Sequence, residues 1–266
     1  MDDASALEKE IREALRENQL PLEVYASIGS TLDRARELAL SGAPEGSLIA
    51  AIEQTAGRGR QGRSFFSPAG TGVYMSLVLR PQTLAEPERI TVAAAAATAR
   101  AVETVSGERA EIKWVNDVYL RGKKVSGILT ESGFLPDGSP WAALGIGVNL
   151  LPPPDGFPAA LQNVAGALCA DARAASLRGR LIARLAEDFL ALYADWDRES
   201  ILREYRERNF LRGKTVDIII GNKERQADVI DVADDFGLRV RFSDGREEVL
   251  YSGEVHLRPT RGDGAW

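Results

Sequence analysis

Gln54-Thr55-Ala56-Gly57-Arg58-Gly59-Arg60-Gln61-Gly62 continues as Arg63-Ser64-Phe65-Phe66-Ser67-Pro68 and sits between two apolar runs. Upstream, Ser47-Leu48-Ile49-Ala50-Ala51-Ile52 is bounded by Gly46 and Glu53 and reads as a buried strand. Downstream, residues 72–80 (GVYMSLVLR) are rich in apolar and β-branched residues and read as a second strand. The quoted stretch carries three arginines, Arg58, Arg60 and Arg63, and three glycines. Glycine lets a backbone approach a ligand closely, and arginine offers a fork of donors to carboxylate or phosphate. The stretch reads as an anion-binding loop. With no anion present its arginines repel one another, so the loop is expected to be mobile when free and to order on a ligand.

Two general phosphate motifs match the letters and fail on context. Gly57, Gly59 and Gly62 fit G-x-G-x-x-G, and Gly57, Gly62, Arg63 and Ser64 nearly fit a P-loop. Both need a helix to open directly after the last glycine. Here Pro68, Gly70 and Gly72 stand in the way, and a strand follows.

The rest of the chain narrows the chemistry. Its 266 residues allow one large core with a small appendage. Apolar content of 44% and charged content of 27% are those of a soluble globular protein. A net charge of −6 disfavours nucleic acid as a bulk electrostatic partner, so any basic patch is local. One cysteine, Cys169, excludes an internal disulfide, and one histidine, His256, makes a Ser-His-Asp triad improbable. The acidic N-terminus reads as no signal peptide, and no apolar run reaches the roughly 20 residues of a membrane span. A cytoplasmic location with no membrane partner is expected.

Leu7, Ile11 and Leu15 mark one short amphipathic helix over residues 4–18, and residues 22–28 alternate as a strand. Ser30-Thr31-Leu32-Asp33 reads as a capping box opening a helix through Leu40, and its hydroxyls are also free to meet a polar ligand atom. An alanine-rich helix follows over residues 86–105, stopped by Gly107. Then comes Lys113-Trp114-Val115-Asn116-Asp117, a turn at 121–124, and Val125-Ser126-Gly127-Ile128 on the next strand. This brings cations, an amide and a carboxylate onto adjacent strands. Residues 141–150 form another strand, in which Gly145 and Gly147 let something lie flat against the backbone. Residues 158–169, 176–196 and 199–208 read as helices. From Gly213 the period changes to two, with turns at Gly221-Asn222, Asp235-Phe236-Gly237 and Asp244-Gly245, which suggests a small barrel.

Taken in order, QTAGRGRQGRSFFSP, KWVNDVYL, KKVSGIL and GIGVNL resemble the biotin–protein ligases over about residues 22–258. The resemblance implies an α+β fold: a central mixed β-sheet flanked by helices, of the class II synthetase-like type, followed by a small C-terminal SH3-like β-barrel. It implies a catalytic biotin- and ATP-binding domain over 1–211 and the barrel over 212–266. The implied activity joins biotin to ATP as biotinyl-5′-adenylate, with Mg2+ carried mainly on the ATP phosphates. The acyl group then passes to a lysine of the biotin carboxyl carrier protein domain of a biotin-dependent carboxylase.

By the same resemblance, Ser30, Thr31, Gln54, Gly57, Arg58, Arg60, Lys124 and Gly127 bind biotin. Arg60, Phe65, Lys113, Asn116, Asp117, Lys124, Asn149 and Arg258 bind ATP, with Glu254 near it. Lys124, Arg60, Lys113 and Asp117 are the implied catalytic set. Lys123, on the alternate face of the strand, is expected to tolerate alanine. Val115 stands where many members of the family have proline, and Phe65 where tryptophan is common. Members that double as repressors carry an N-terminal winged helix-turn-helix, and the single helix before the first strand leads us to expect the type without DNA binding. Monomer and homodimer both stay open. The rival readings are a lipoate–protein ligase relative and, from another class, a noncatalytic RNA-binding module. The acidic charge and the scarcity of aromatics in the barrel weigh against RNA.

Overall fold

A computed structural model describes residues 3–15, 20–220, 223–251 and 254–257. In chain order the elements of the larger part are α1 (Asp3–Ala14), β1 (Leu22–Ile28), α2 (Thr31–Leu40), β2 (Leu48–Gln54), β3 (Gly72–Leu79), α3 (Glu88–Ser106), β4 (Glu111–Lys113), β5 (Asp117–Leu120), β6 (Lys123–Phe134), β7 (Pro140–Asn149), α4 (Arg178–Ala194) and α5 (Arg198–Arg208). Short 3-10 turns cover Arg60–Gly62 and Ala172–Leu177. The strands form one mixed sheet in the order β1-β2-β3-β7-β6-β5-β4, with β1 parallel to β2 and the other pairs antiparallel. The fold is therefore the α+β arrangement of a central mixed sheet with helices on both faces.

The two faces are covered unequally, and that asymmetry makes room for a site. On one side α3 is buried almost all round, and its run Ala93 to Ala97 is fully enclosed. Small side chains let it lie close to the sheet while α4 and α5 pack behind it. On the other side α2 is the one helix, among the described residues, that covers the sheet, through Leu32, Ala35 and Ala39 against Ile49, Val78, Trp141 and Ala143. Along β7 the residues facing that side run Trp141, Ala143, Gly145, Gly147, Asn149. The large and small apolar residues meet the helix; the glycines beyond it leave half of the sheet face bare.

One predicted helix is absent. Residues 158–169 form turns and a short extended segment rather than a helix. The backbone there is claimed by strand neighbours: Lys124 N donates to Val164 O at 2.8 Å, and Gly166 N to Lys124 O at 2.9 Å. Asn149 Nδ2 also reaches Gly166 O at 3.0 Å. These bonds hold the segment alongside β6 and β7, so helical propensity is overridden by tertiary pairing.

The C-terminal part is a second, antiparallel sheet: β8 (Thr215–Ile220), β9 (Lys223–Val232), β10 (Leu238–Phe242), β11 (Glu247–Leu250) and β12 (Glu254–Leu257), in the order β11-β10-β9-β8-β12. It is compatible with a small barrel. The turn at Asp235-Phe236-Gly237 is one of its points of attachment, beside the bonds of Arg206 to Val232 O and Arg198 to Asp234 O. Phe236 is buried, packs edge-on against Trp196 at 5.7 Å, and its carbonyl accepts from Trp114 Nε1 at 2.9 Å.

An ion-pair network fastens α5 to α3. Arg208 Nη1 lies 2.6 Å from Glu103 Oε1 and its Nε 3.0 Å from Glu204 Oε1, while Arg100 also pairs with Glu204. Burial alone would raise the Glu204 carboxyl, but the two guanidinium groups outweigh it and hold its pKa below the ordinary 4.5. A carboxylate depressed by folding contributes stability that is intact above its unfolded pKa and lost as pH falls through the folded value. We therefore expect the melting temperature to drop as pH falls below about 4.5, and Glu204→Gln to melt lower at neutral pH with a shallower acid decline. Parallel melting curves across that range would remove Glu204 from the account.

Candidate active site

The bare half of the sheet is roofed by residues 55–67, enclosing a cavity of about 600 Å³. The roof is a small hairpin. Phe65 N donates to Gly57 O at 2.8 Å, Gly59 N to Arg63 O at 2.7 Å, and Arg58 bridges Ser64 in antiparallel fashion. Gly57 holds its base, since a Cβ there would stand 2.5 Å from Phe65 O and 2.7 Å from Ser67 Oγ. No helix opens after Gly62, in keeping with the failure of both phosphate-loop motifs on context.

The roof is tied down by its own arginines. Arg58 Nη1 donates to Asp33 Oδ1 at 2.7 Å, and its Nη2 pairs with Glu131 Oε1 at 2.6 Å. Burial works against the guanidinium charge, but the two carboxylates more than offset it and raise the Arg58 pKa. Arg60 Nη1 donates to Asn116 Oδ1 at 3.1 Å. The expectation of mutually repelling arginines thus fails for Arg58, whose charge is neutralised from within the chain. Asp33 is also put to a different use from the predicted box. Its backbone N–H takes the Ser30 cap at 3.4 Å, while its carboxylate serves the roof.

At one end of the cavity, polar uncharged groups are locked together. Gln54 Oε1 accepts from Thr31 N at 2.9 Å and from Thr31 Oγ1 at 3.1 Å, and Gln54 Nε2 donates to Ser67 Oγ at 3.0 Å. Ser76 Oγ supports Thr31 from beneath at 2.9 Å. These bonds fix the amide orientation of Gln54, with Ser30 adjacent. The floor is Gly127, Gly145 and Gly147, and the Phe65 ring lies on it: a Cβ on Gly147 would meet Phe65 Cε1 at 2.5 Å.

At the other end the cavity is cationic. Its walls carry Arg60, Arg63, Lys113 and Lys124 and, among the described residues, one carboxylate, Asp117. This is a local basic concentration inside an acidic chain. Lys124 Nζ lies 2.6 Å from Asp117 Oδ1 across the β5–β6 pair. Asn116 is held by Ile128, its Nδ2 donating to Ile128 O at 2.8 Å and its carbonyl accepting from Ile128 N at 3.0 Å. From α5, the fully buried Tyr205 hydroxyl donates to Val115 O at 2.8 Å. Burial pushes that phenol well above its ordinary 10, with Asp117 adding to the effect, so it stays a donor. The turn bearing Asn116 and Asp117 is therefore braced from both α5 and the C-terminal sheet.

The cavity wall brings together Ser30, Thr31, Gln54, Arg58, Arg60, Phe65, Lys113, Asn116, Asp117, Lys124, Gly127 and Asn149. Gly57 lies at the base of the roof, outside the wall. Arg258 lies outside the described residues, and Glu254 opens β12. Sequence reasoning missed the strap over 157–165, His256 with Val255, and the supports Asp33, Glu131, Ser67 and Tyr205. Only His256, as the single histidine, carried any advance signal.

Residues 24–149, which hold this wall apart from the 157–165 strap, Val255 and His256, match the biotin/lipoate A/B protein ligase family model. Along almost the whole chain, a biotin--[acetyl-CoA-carboxylase] ligase of Mycobacterium tuberculosis is 30% identical over 249 residues, 89% of each protein. The chain belongs to this ligase family. Another family relative, the bifunctional ligase/repressor BirA of Bacillus subtilis, is 39% identical over 170 residues, covering 64% of this chain and 52% of that protein. A Paracoccus denitrificans biotin--[acetyl-CoA-carboxylase] ligase is 47% identical over 110 residues, 40% of this chain and 45% of its own. The chain thus spans about half the length of these last two relatives. Among solved structures, the Aquifex aeolicus biotin protein ligase in complex with biotin and ATP superposes with a TM-score of 0.72 at 24% identity, over 91% of this chain and 100% of that one. At that identity the likeness speaks for the fold.

Among the described residues, no group of three or more His, Cys, Asp or Glu side chains could hold a metal ion, and no helix is long and apolar enough to cross a membrane.

Proposed function

We propose that this chain is an ATP-dependent biotin–protein ligase that makes biotinyl-5′-adenylate and passes the acyl group to a lysine of a carboxylase's biotin carboxyl carrier domain. One observation carries the reading: a single cavity has a locked, uncharged hydrogen-bonding end at Ser30, Thr31 and Gln54 and a cationic end at Arg60, Lys113 and Lys124. From β2 to β6 is three strand spacings, roughly 14 Å. That separation suits a small polar ring, an extended acyl chain over the glycine floor, and a carboxylate delivered among the cations.

The chemistry needs position and charge rather than an enzyme nucleophile. A biotin carboxylate oxygen attacks the α-phosphorus of ATP, and the bond to the bridging oxygen breaks as pyrophosphate leaves with its electrons. The neutral ε-amine of the carrier lysine then attacks the acyl carbon, loses a proton, and AMP departs. Both steps concentrate negative charge at the anhydride, where Lys124, Lys113 and Arg60 stabilise it without reorganisation. Asp117 aims Lys124 through their ion pair. Asn116 joins Arg60 to the β6 backbone and so couples the roof to the floor. Mg2+ would enter with the ATP phosphates, since Asp117, the one carboxylate of the wall among the described residues, already faces Lys124. The hairpin roof shields the mixed anhydride from water.

The Thr31–Gln54–Ser67 chain favours biotin over lipoate, because a ureido ring offers polar edges that a lipoyl chain lacks. ATP–pyrophosphate exchange with biotin, with lipoate and with no acid tests this. Exchange dependent on biotin is expected; its absence with biotin, ATP and magnesium would overturn the function, and preference for lipoate would replace the acid.

A further inference from the structure

Lys123 has the opposite aspect to Lys124. It is absent from the cavity wall, and its ammonium donates to Asn163 O at 2.8 Å and Gln162 O at 3.3 Å. These two carbonyls sit at the end of the turn that begins at Pro158. Within that turn Leu161 N and Gln162 N bond to Pro158 O, and Val164 N and Ala165 N bond to Leu161 O. A lysine ammonium is suited to capping such terminal carbonyls, having three donors and no acceptor. The Lys123 stem lies against the same segment, since a Cβ on Gly166 would stand 2.6 Å from Lys123 Cβ. Lys124 pairs its backbone with Val164 and Gly166 on either side. Phe157, Leu161 and Val164 of this segment line the cavity, and the backbone around them is tied to Lys124 and Asn149, which line it too.

We infer that Lys123 is a positioning residue: its ammonium holds the 157–165 strap as the wall of the nucleotide end of the cavity, so that the two lysines of one dipeptide divide the work of charge and of shape. The nucleotide half of this inference rests on the ligase reading above, which puts the phosphates among the cations beside the strap. It revises the expectation that Lys123 tolerates substitution freely. Removing the ammonium leaves two carbonyls to water and frees the strap to move, which lowers the fraction of chains ready to accept ATP. The acyl end, braced by Thr31 at the start of α2 and Gln54 at the end of β2, is untouched.

The test uses Lys123→Met, which keeps the apolar stem, and Lys123→Arg, which keeps a charged donor. Amide hydrogen exchange in the full chain without ligand reports on the strap directly. Faster exchange at residues 161–166 is expected in the methionine variant, with protection restored by arginine. In the exchange assay, KM for ATP should rise about fivefold or more, the scale of a lost charge-assisted hydrogen bond, with KM for biotin unchanged. Unchanged protection in Lys123→Met overturns the inference whatever the activity. Loosened protection with no change in KM for ATP, or an equal change in both KM values, overturns its nucleotide half. A wild-type chain inactive in exchange removes the ligase reading and that half with it, while the protection data still decide the strap.

Discussion

Lys124→Ala is expected to lower biotin-dependent pyrophosphate exchange by on the order of 10²–10³, the usual loss for one donor aimed at developing charge. Two effects combine. A cation that the ligase reading sets beside the anhydride is removed, and Asp117, its partner at 2.6 Å with a side chain 18% exposed, is left as an uncompensated carboxylate in the cavity wall. Asp117→Asn in the same chain should therefore recover part of the loss, because the repulsive charge disappears while the missing donor does not return. The double variant then shows less than the sum of the two single changes, as residues in direct contact do. Acyl transfer from preformed adenylate should fall as well, since charge passes back onto the phosphate as AMP leaves. Exchange within threefold of the wild type would take Lys124 out of the catalytic set. Strict additivity would leave Lys124 in place and remove the Asp117 pairing from the explanation.

Arg60→Gly is expected to uncouple making the adenylate from keeping it. Arg60 joins the roof hairpin to Asn116 at 3.1 Å, and glycine at that position also adds backbone freedom to a loop that already holds Gly57, Gly59 and Gly62. A charged hydrogen bond of this kind contributes about 1.5–3 kcal/mol, so adenylate release should accelerate roughly 10- to 100-fold. Arg58, held by Asp33 and Glu131, keeps the base of the hairpin in place, so the adenylate still forms, at a rate lowered by the loss of the Arg60 cation. Escaped adenylate acylates accessible lysines at random. Two measurements decide the matter: free biotinyl-adenylate in the filtrate, and labelling of a bystander protein added to the reaction. If the variant retains its adenylate and labels only the carrier, the roof is a static wall and Arg60 is not its clasp.

Much of the candidate site was readable because its groups lie in short, ordered motifs. The arginine loop, the Lys113–Asp117 turn, Lys124 with Gly127, and the strand ending at Asn149 all converge on one cavity. What could not be read was how each motif is held. Arg58 pairs with Asp33, 25 residues away, and Trp114 with Phe236, 122 residues away. Neither partner has a sequence pattern that announces it. Asp33 satisfied a capping box on paper, and Phe236 sat in an ordinary turn triplet. The strap over 157–165 was misread for the same reason. Its residues tolerate a helix locally, and the bonds that make it extended come from Lys124 and Asn149 on other strands.

From the sequence alone follow the strand on each side of the arginine loop, the Ser30 cap, the alanine helix ended at Gly107, the period-two C-terminal segment and the family. These depend on dihedral preference, side-chain period and terminal hydrogen bonds, all settled within a few residues of one another. The tertiary structure alone decided that α2 covers only half of one sheet face, that a carboxylate pair ties the roof shut, and that Tyr205 and Phe236 brace the turn of Asn116 and Asp117 from two directions. Those outcomes rest on which buried donors and acceptors find one another once the core has closed, since a polar group removed from water must be paired by whatever the fold brings near it.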